Sequence, residues 1–150
     1  MVSIVKTNSA NPHFQQLVAE LDAYLAILDG EEHAFYNQLN KIDSIKHTVV
    51  AYENNVPVGC GSIREYALDT MEVKRMYVLP TKRNKGIAKN ILTALEAWAK
   101  DLGYKKCILE TGNRQPEAVA LYKKAGYNII PNYGKYLHIE NSICFEKILC

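Results

Sequence analysis

The chain has 150 residues, with 18 Lys and Arg against 16 Asp and Glu, for a formal net charge of +2. That length argues for a single domain over 1–150 that can bury a core without staples. Its 48% hydrophobic and 23% charged residues exclude a disordered, collagen-like or low-complexity chain, and its short apolar runs exclude a transmembrane helix.

In chain order, Val2 to Lys6 reads as a short first strand. Asn11-Pro12 is a helix start, with Asn11 as N-cap and Pro12 at the first helical position. Phe14, Leu17, Val18, Leu21, Leu25 and Leu28 follow helical spacing until Gly30 stops them. Glu31 to Leu39 predicts a second, shorter helix. The period then changes to that of strands. His47 to Tyr52 pairs with Val56 to Tyr66 through the Glu53-Asn54-Asn55 turn. Leu68-Asp69 turns into a third antiparallel strand, Met71 to Leu79, ended by Pro80. Ile87, Ile91, Leu92, Leu95, Ala99 and Leu102 form one stripe of a long helix with Gly103 at its C-terminal end. Lys106 to Thr111 is a strand, and Pro116 to Ala125 a helix capped by Gly126. Tyr127 to Ile130 and Ser142 to Ile148 are the last strands. The order predicts an α+β sandwich, a mostly antiparallel sheet flanked by helices.

Positive charge gathers in one stretch: Lys74, Arg75, Lys82, Arg83, Lys85 and Lys89. So local a patch fits a small polyanion as well as it fits a polymer. Cys60, Cys107, Cys144 and Cys150 form no C-x-x-C pair and have no histidine at ligand spacing, so no metal is expected. The first three sit in apolar stretches as core residues. Met1 to Lys6 is interrupted by charge too soon for a signal peptide. Reduced thiols in a cytoplasmic protein are therefore expected.

The chemistry concentrates in Glu72 to Ala88, where a strand leads through a short basic loop into a helix. A helix start offers unpaired N–H groups and a positive dipole end, a natural seat for phosphate. Gly86 and Ala88 are small enough for close approach, and Arg83 and Lys85 add charge. The segment reads as a pyrophosphate cradle.

Arg83-Asn84-Lys85-Gly86-Ile87-Ala88 resembles the R/Q-x-x-G-x-G/A acyl-CoA signature of the GNAT superfamily of acetyl-CoA-dependent N-acetyltransferases. Glu72 to Pro80 is similar to the strand that precedes it in that family, E-[IVL]-x-R-[LM]-[YF]-V-x-P. Ala118 to Tyr127 is similar to its later A-x-x-L-Y-x-x-x-G-[FY]. Ala88 stands where glycine is commoner. The resemblance implies a three-layer α/β/α sandwich with a mixed, mostly antiparallel sheet of about seven strands and about four helices. It also implies acetyl transfer from acetyl-CoA, the co-substrate, to a primary amine.

The same resemblance assigns roles. The backbone along Met76-Tyr77-Val78 would pair with the pantetheine arm like an added strand. The amides of Arg83, Asn84, Lys85, Gly86, Ile87 and Ala88 would hold the pyrophosphate, assisted by the Arg83 side chain. Asn113 would hydrogen-bond the arm, which Ala118 and Leu121 would line. Tyr122 would protonate the leaving thiolate. Glu72 is the candidate base, on the expectation that Glu72, Lys74, Met76 and Val78 alternate onto one face. Bland readings stand beside these: a packing Tyr122, a turn-forming Asn113 and a solvated Glu72 carboxylate.

Tyr24, Tyr66, Tyr133 and Tyr136 are candidates to line an acceptor pocket, with Tyr133 to Tyr136 in a loop. The expected partners are acetyl-CoA and an amine acceptor, leaning to a small molecule, with no nucleic acid and no membrane. The edge strands leave a homodimer open. The alternatives are a CoA-binding regulatory module without catalysis, or a protein or peptide N-acetyltransferase.

Overall fold

The computed structural model describes residues 2–29 and 45–149. The described elements are β1 (Val2–Thr7), α1 (Pro12–Asp29), β2 (His47–Glu53), β3 (Val56–Ala67), β4 (Thr70–Val78), α2 (Ile87–Asp101), β5 (Lys106–Gly112), α3 (Pro116–Lys124), β6 (Asn128–Ile130) and β7 (Ser142–Ile148). Two single 3₁₀ turns, Pro80–Lys82 and Gly134–Tyr136, complete the set. The expected helix at 31–39 and its flanking stop at Gly30 lie outside the described residues.

Local chemistry sets the boundaries. The Asn11 side-chain oxygen accepts from the backbone N–H groups of His13 and Phe14, at 2.9 and 3.1 Å, and so caps α1. Asn54 and Asn55 both take positive φ, 52° and 66°, as a tight hairpin turn requires, and asparagine tolerates that better than most residues. At the end of α2, Gly103 has φ 95° and the Tyr104 N–H reaches back to the Ala99 carbonyl. Gly126 repeats the motif after α3, with the Tyr127 N–H bonded to the Tyr122 carbonyl. Both helices thus stop where glycine can turn left-handed.

The seven strands form one sheet in the order β1-β2-β3-β4-β5-β7-β6. Every pairing is antiparallel except β4 with β5. One face packs on α2 and α3 through a core that includes Val49, Ile63, Ile91, Leu95, Leu109 and Phe145. The other face packs on α1 through Phe14, Leu17, Leu21, Val50, Cys60 and Tyr77. The three layers of the expected sandwich are present. Cys60, Cys107 and Cys144 are fully buried free thiols, and burial pushes the Cys60 and Cys107 thiols up to about 12. Among the described residues no helix is long and apolar enough to cross a membrane.

Candidate active site

The site begins with an interrupted pairing. β4 and β5 run side by side for three residue pairs, Thr70–Lys106, Met71–Cys107 and Glu72–Ile108. Beyond Glu72 they have no register pairs, although β4 continues to Val78 and β5 to Gly112. The gap left between them is lined by β4, by Glu110 and Thr111 of β5, by Leu21 and Leu25 of α1, and by Ala118 and Tyr122 of α3.

A β-bulge lies beside the gap. Between Cys60–Tyr77 and Ser62–Lys74 the register gains one residue on β4, and Arg75 takes φ 59°. A left-handed conformation costs a residue with a Cβ about 1–2 kcal/mol. The bulge inverts the alternation of side chains. Met71, Val73, Met76 and Val78 all pack toward α2, while Tyr77 joins the α1 core. The expected single face of Glu72, Lys74, Met76 and Val78 is therefore incorrect. Glu72 and Lys74 are on the α1 side, and the extra residue sends Met76 and Val78 to the opposite one.

Glu72 is 4% exposed. Its Oε2 accepts a hydrogen bond from the Tyr133 hydroxyl at 2.6 Å, and its Oε1 stands 3.8 Å from the Lys74 ammonium. Burial first, then the Glu72 charge, pushes the Tyr133 phenol well above its ordinary range, so it remains a donor. Burial pulls the Lys74 ammonium below the usual lysine range; Glu72 opposes this, and Arg64, Arg75 and Lys135 add to it. Tyr122 is buried against Tyr127 and Phe145. Burial, with a smaller contribution from Glu110, raises its phenol above the usual value of 10. Glu72, on the α1-facing side of the sheet, and Tyr122, from the helix layer on the other side, both line the gap.

Past the end of β4, the 3₁₀ turn delivers the chain to α2. Gly86 is the N-cap of α2 with φ 79°, and a Cβ built there meets nothing within 4 Å. Asn84 is also left-handed, at φ 64°. Helical bonding starts with the Asn90 N–H to the Gly86 carbonyl, which leaves the preceding amides without helical acceptors. Asn84, Lys85 and Gly86 are exposed. The segment expected to form the cradle is open to solvent there.

The "Acetyltransferase (GNAT) family" model matches residues 14–127. An IAA acetyltransferase of Azospirillum brasilense is 34% identical over 156 residues, covering 99% of this chain and 98% of the relative. A Klebsiella pneumoniae structure described as an acyl-CoA N-acyltransferase matches with a TM-score of 0.84 at 28% identity, over 100% of this chain and 99% of the other. A GNAT acetyltransferase from Elizabethkingia anophelis, solved with acetyl-CoA bound, shares the fold at a TM-score of 0.70 and 21% identity, over 99% and 98% of the two chains. The chain belongs to the GNAT acetyltransferase family. It is an acetyl-CoA-dependent N-acetyltransferase of that family.

Within this GNAT chain, the structure brings Glu72, Met76, Ala118 and Tyr122 to one cleft. Tyr136 lines it too, and Tyr133 braces Glu72, with Tyr66 packed edge-on behind Tyr133 at 5.1 Å. Tyr24 instead stacks on the Arg83 guanidinium at 4.9 Å. Arg83 also lies over Tyr77, and its Nε donates to the Val78 carbonyl at 3.0 Å. Asn113 is exposed in the loop after β5; its side-chain amide donates to Asn141 Oδ1 at 3.4 Å. Leu121 is partly buried against the core of α2 and α3.

The basic run divides. Lys74 and Arg75 face the cleft, Lys82 pairs with Glu53, and Arg83 and Lys85 remain by the cradle. Sequence reasoning missed Arg75, Glu110, Thr111 and Gln115 as cleft residues. The spacing of Gln115 before Pro116 carried no signal. Glu110 and Thr111 were legible as the end of a strand but not as the far wall of a gap.

Proposed function

We propose that this protein transfers the acetyl group of acetyl-CoA directly to the primary amine of a small molecule, with Glu72 as base and Tyr122 as proton donor. The observation that carries the reading is the window between β4 and β5, lined from one side by a buried carboxylate and from the other by a buried phenol.

The Leu79 N–H is bonded to Val58 on β3. Strand alternation therefore turns the N–H and carbonyl of Val78 toward the gap. There they suit the pantetheine amides as an added strand would, together with the backbone of Met76. The Val78 carbonyl already accepts from Arg83, so Arg83 swings toward the pyrophosphate as the arm takes its place. The open amides from Arg83 to Ala88 receive the pyrophosphate. Asn113 contributes a hydrogen bond to the arm, and Ala118 and Leu121 line it.

Glu72 takes the proton from the amine as the new N–C bond forms at the thioester carbonyl. A backbone N–H of β4 polarises that carbonyl. The C–S bond then breaks, and the Tyr122 hydroxyl gives its proton to the sulfur and recovers one from solvent. The apolar wall of Leu21, Leu25 and Tyr136 narrows the cleft, which favours a small acceptor over a folded protein.

A free-thiol release assay with acetyl-CoA against a panel of amines tests the reading, with Gly86→Glu as its control. The added carboxylate faces the pyrophosphate seat and meets no protein atom near its Cβ. Acetyl-CoA binding by calorimetry should be lost while the circular dichroism spectrum is kept. Unchanged affinity in Gly86→Glu removes the cradle.

A further inference from the structure

Lys74, beside Glu72, feels three other cationic side chains. Lys74 and Arg75 line the cleft, and Arg64 and Lys135 are near enough for their charge to act on Lys74. The Lys74 side chain is 9% exposed, and the Glu72 oxygen paired with it stands 3.8 Å away, beyond hydrogen-bond range. The Arg75 side chain is 5% exposed. Its Nη1 donates to Asp22 Oδ1 at 2.9 Å, but its Nε is buried with no hydrogen-bond partner. Among the described residues, neither Arg64 nor Lys135 forms an ion pair.

Buried charge is costly unless it is paired and hydrogen-bonded. Here one half-buried cation lacks a hydrogen-bonded acceptor, and its buried neighbour has an orphaned N–H and a left-handed backbone. Strain and unmet polar groups of this kind collect where a ligand completes the set. Glu72 does not complete it, because Tyr133 holds one of its oxygens and the other is too far from Lys74.

Resting on the transfer reading above, we infer that the acceptor carries a carboxylate beside its amine, and that Lys74, backed by Arg75, receives that carboxylate while Glu72 faces the amine. The short separation of Glu72 and Lys74 fixes how far apart the two ligand groups can be. Their spacing matches an α-amino acid, whose ammonium and carboxylate are joined through one carbon. Leu21, Leu25 and Tyr136 supply an apolar wall for its side chain. The acceptor class is therefore an apolar α-amino acid. Lys74 is a specificity residue, and Arg75 is a positioning residue that holds the bulge against α1 through Asp22.

The test measures thiol release with acetyl-CoA and three matched sets of amines: leucine, methionine and phenylalanine, each beside its carboxamide and its decarboxylated amine. The amino acids should exceed both analogues in kcat/KM by about 100-fold, as when a site's polar groups lose their partner. Lys74→Gln should lower kcat/KM for the amino acids by about 10- to 100-fold. That loss should be at least about tenfold greater than its effect on the decarboxylated amines, with little change in the acetyl-CoA KM. Release with the decarboxylated amines or amides at equal or higher efficiency overturns this inference and leaves the transferase reading standing. An equal loss for all three members of each set in Lys74→Gln also overturns it. Release in no arm overturns this inference, whereas the transfer reading falls only if the wider amine panel is also silent.

Discussion

The two sides of β4 differ. Toward β3 the strand stays paired from Ala67–Thr70 to Gly59–Val78 through two register shifts, one of them the bulge at Arg75. Toward β5 it pairs three times and then parts. The same strand is thus scaffold on one side and an unpaired edge, the proposed seat of the acetyl-CoA arm, on the other. An unpaired edge inside a sheet leaves backbone groups without partners, which a protein tolerates when a ligand supplies them. The bulge links the two sides. By inverting the alternation at Arg75 it keeps Glu72 on the α1 face and sends Met76 and Val78 to the α2 face, so one strand addresses both layers.

The comparison breaks most sharply at Glu72. Glu72→Gln keeps the shape of the window and removes the proposed base, so kcat should fall by about 10²–10⁴-fold, with the acetyl-CoA KM little changed. Steady-state kinetics with an accepted amine check this, and a near-normal rate shows that another group takes the proton. Tyr122→Phe keeps the ring among Tyr127 and Phe145 and removes the hydroxyl. The expected drop in kcat is roughly 10- to 1,000-fold at unchanged acetyl-CoA affinity. Burial disfavours the charged phenolate and so raises the pKa of Tyr122 above 10. The donor form then persists through neutral and mildly alkaline pH, and kcat in the parent should show no alkaline fall assignable to Tyr122 below pH 10. A packing tyrosine would leave kcat within about twofold.

The scaffold side is sharpened by Gly61→Ala. A Cβ on Gly61 would stand 2.6 Å from Met76 Sδ and 2.9 Å from atoms of both Ile91 and Leu95. Overpacking of this kind costs about 1–3 kcal/mol. Denaturant unfolding should report that loss, with a lower midpoint and an unchanged slope. Full stability in Gly61→Ala would mean that β3 and α2 have slack the packing does not show.

Much of this fold was legible because its boundaries are written in local chemistry. Asn11, the Asn54-Asn55 pair, Gly103 and Gly126 each mark a cap or turn that short-range hydrogen bonds alone determine. The loop and helix start at Arg83 to Ala88 were legible for the same reason. The bulge was not. Arg75 carries no glycine or proline signal, and its side chain is held by Asp22, 53 residues away in sequence. The stacking of Arg83 on Tyr24 and Tyr77, and the bracing of Glu72 by Tyr133 across 61 residues, are likewise products of tertiary packing.

The central claim, that the unpaired edge of β4 is the seat of the acetyl-CoA arm, is tested most directly by amide hydrogen exchange resolved at Val78 and Leu79. Leu79 is bonded to Val58 on β3 with or without ligand, whereas Val78 faces the gap. Adding acetyl-CoA should slow exchange at Val78 by at least about tenfold, beyond any change at Leu79. Equal protection of the two amides before and after acetyl-CoA, in a sample that calorimetry shows to be saturated, would contradict it.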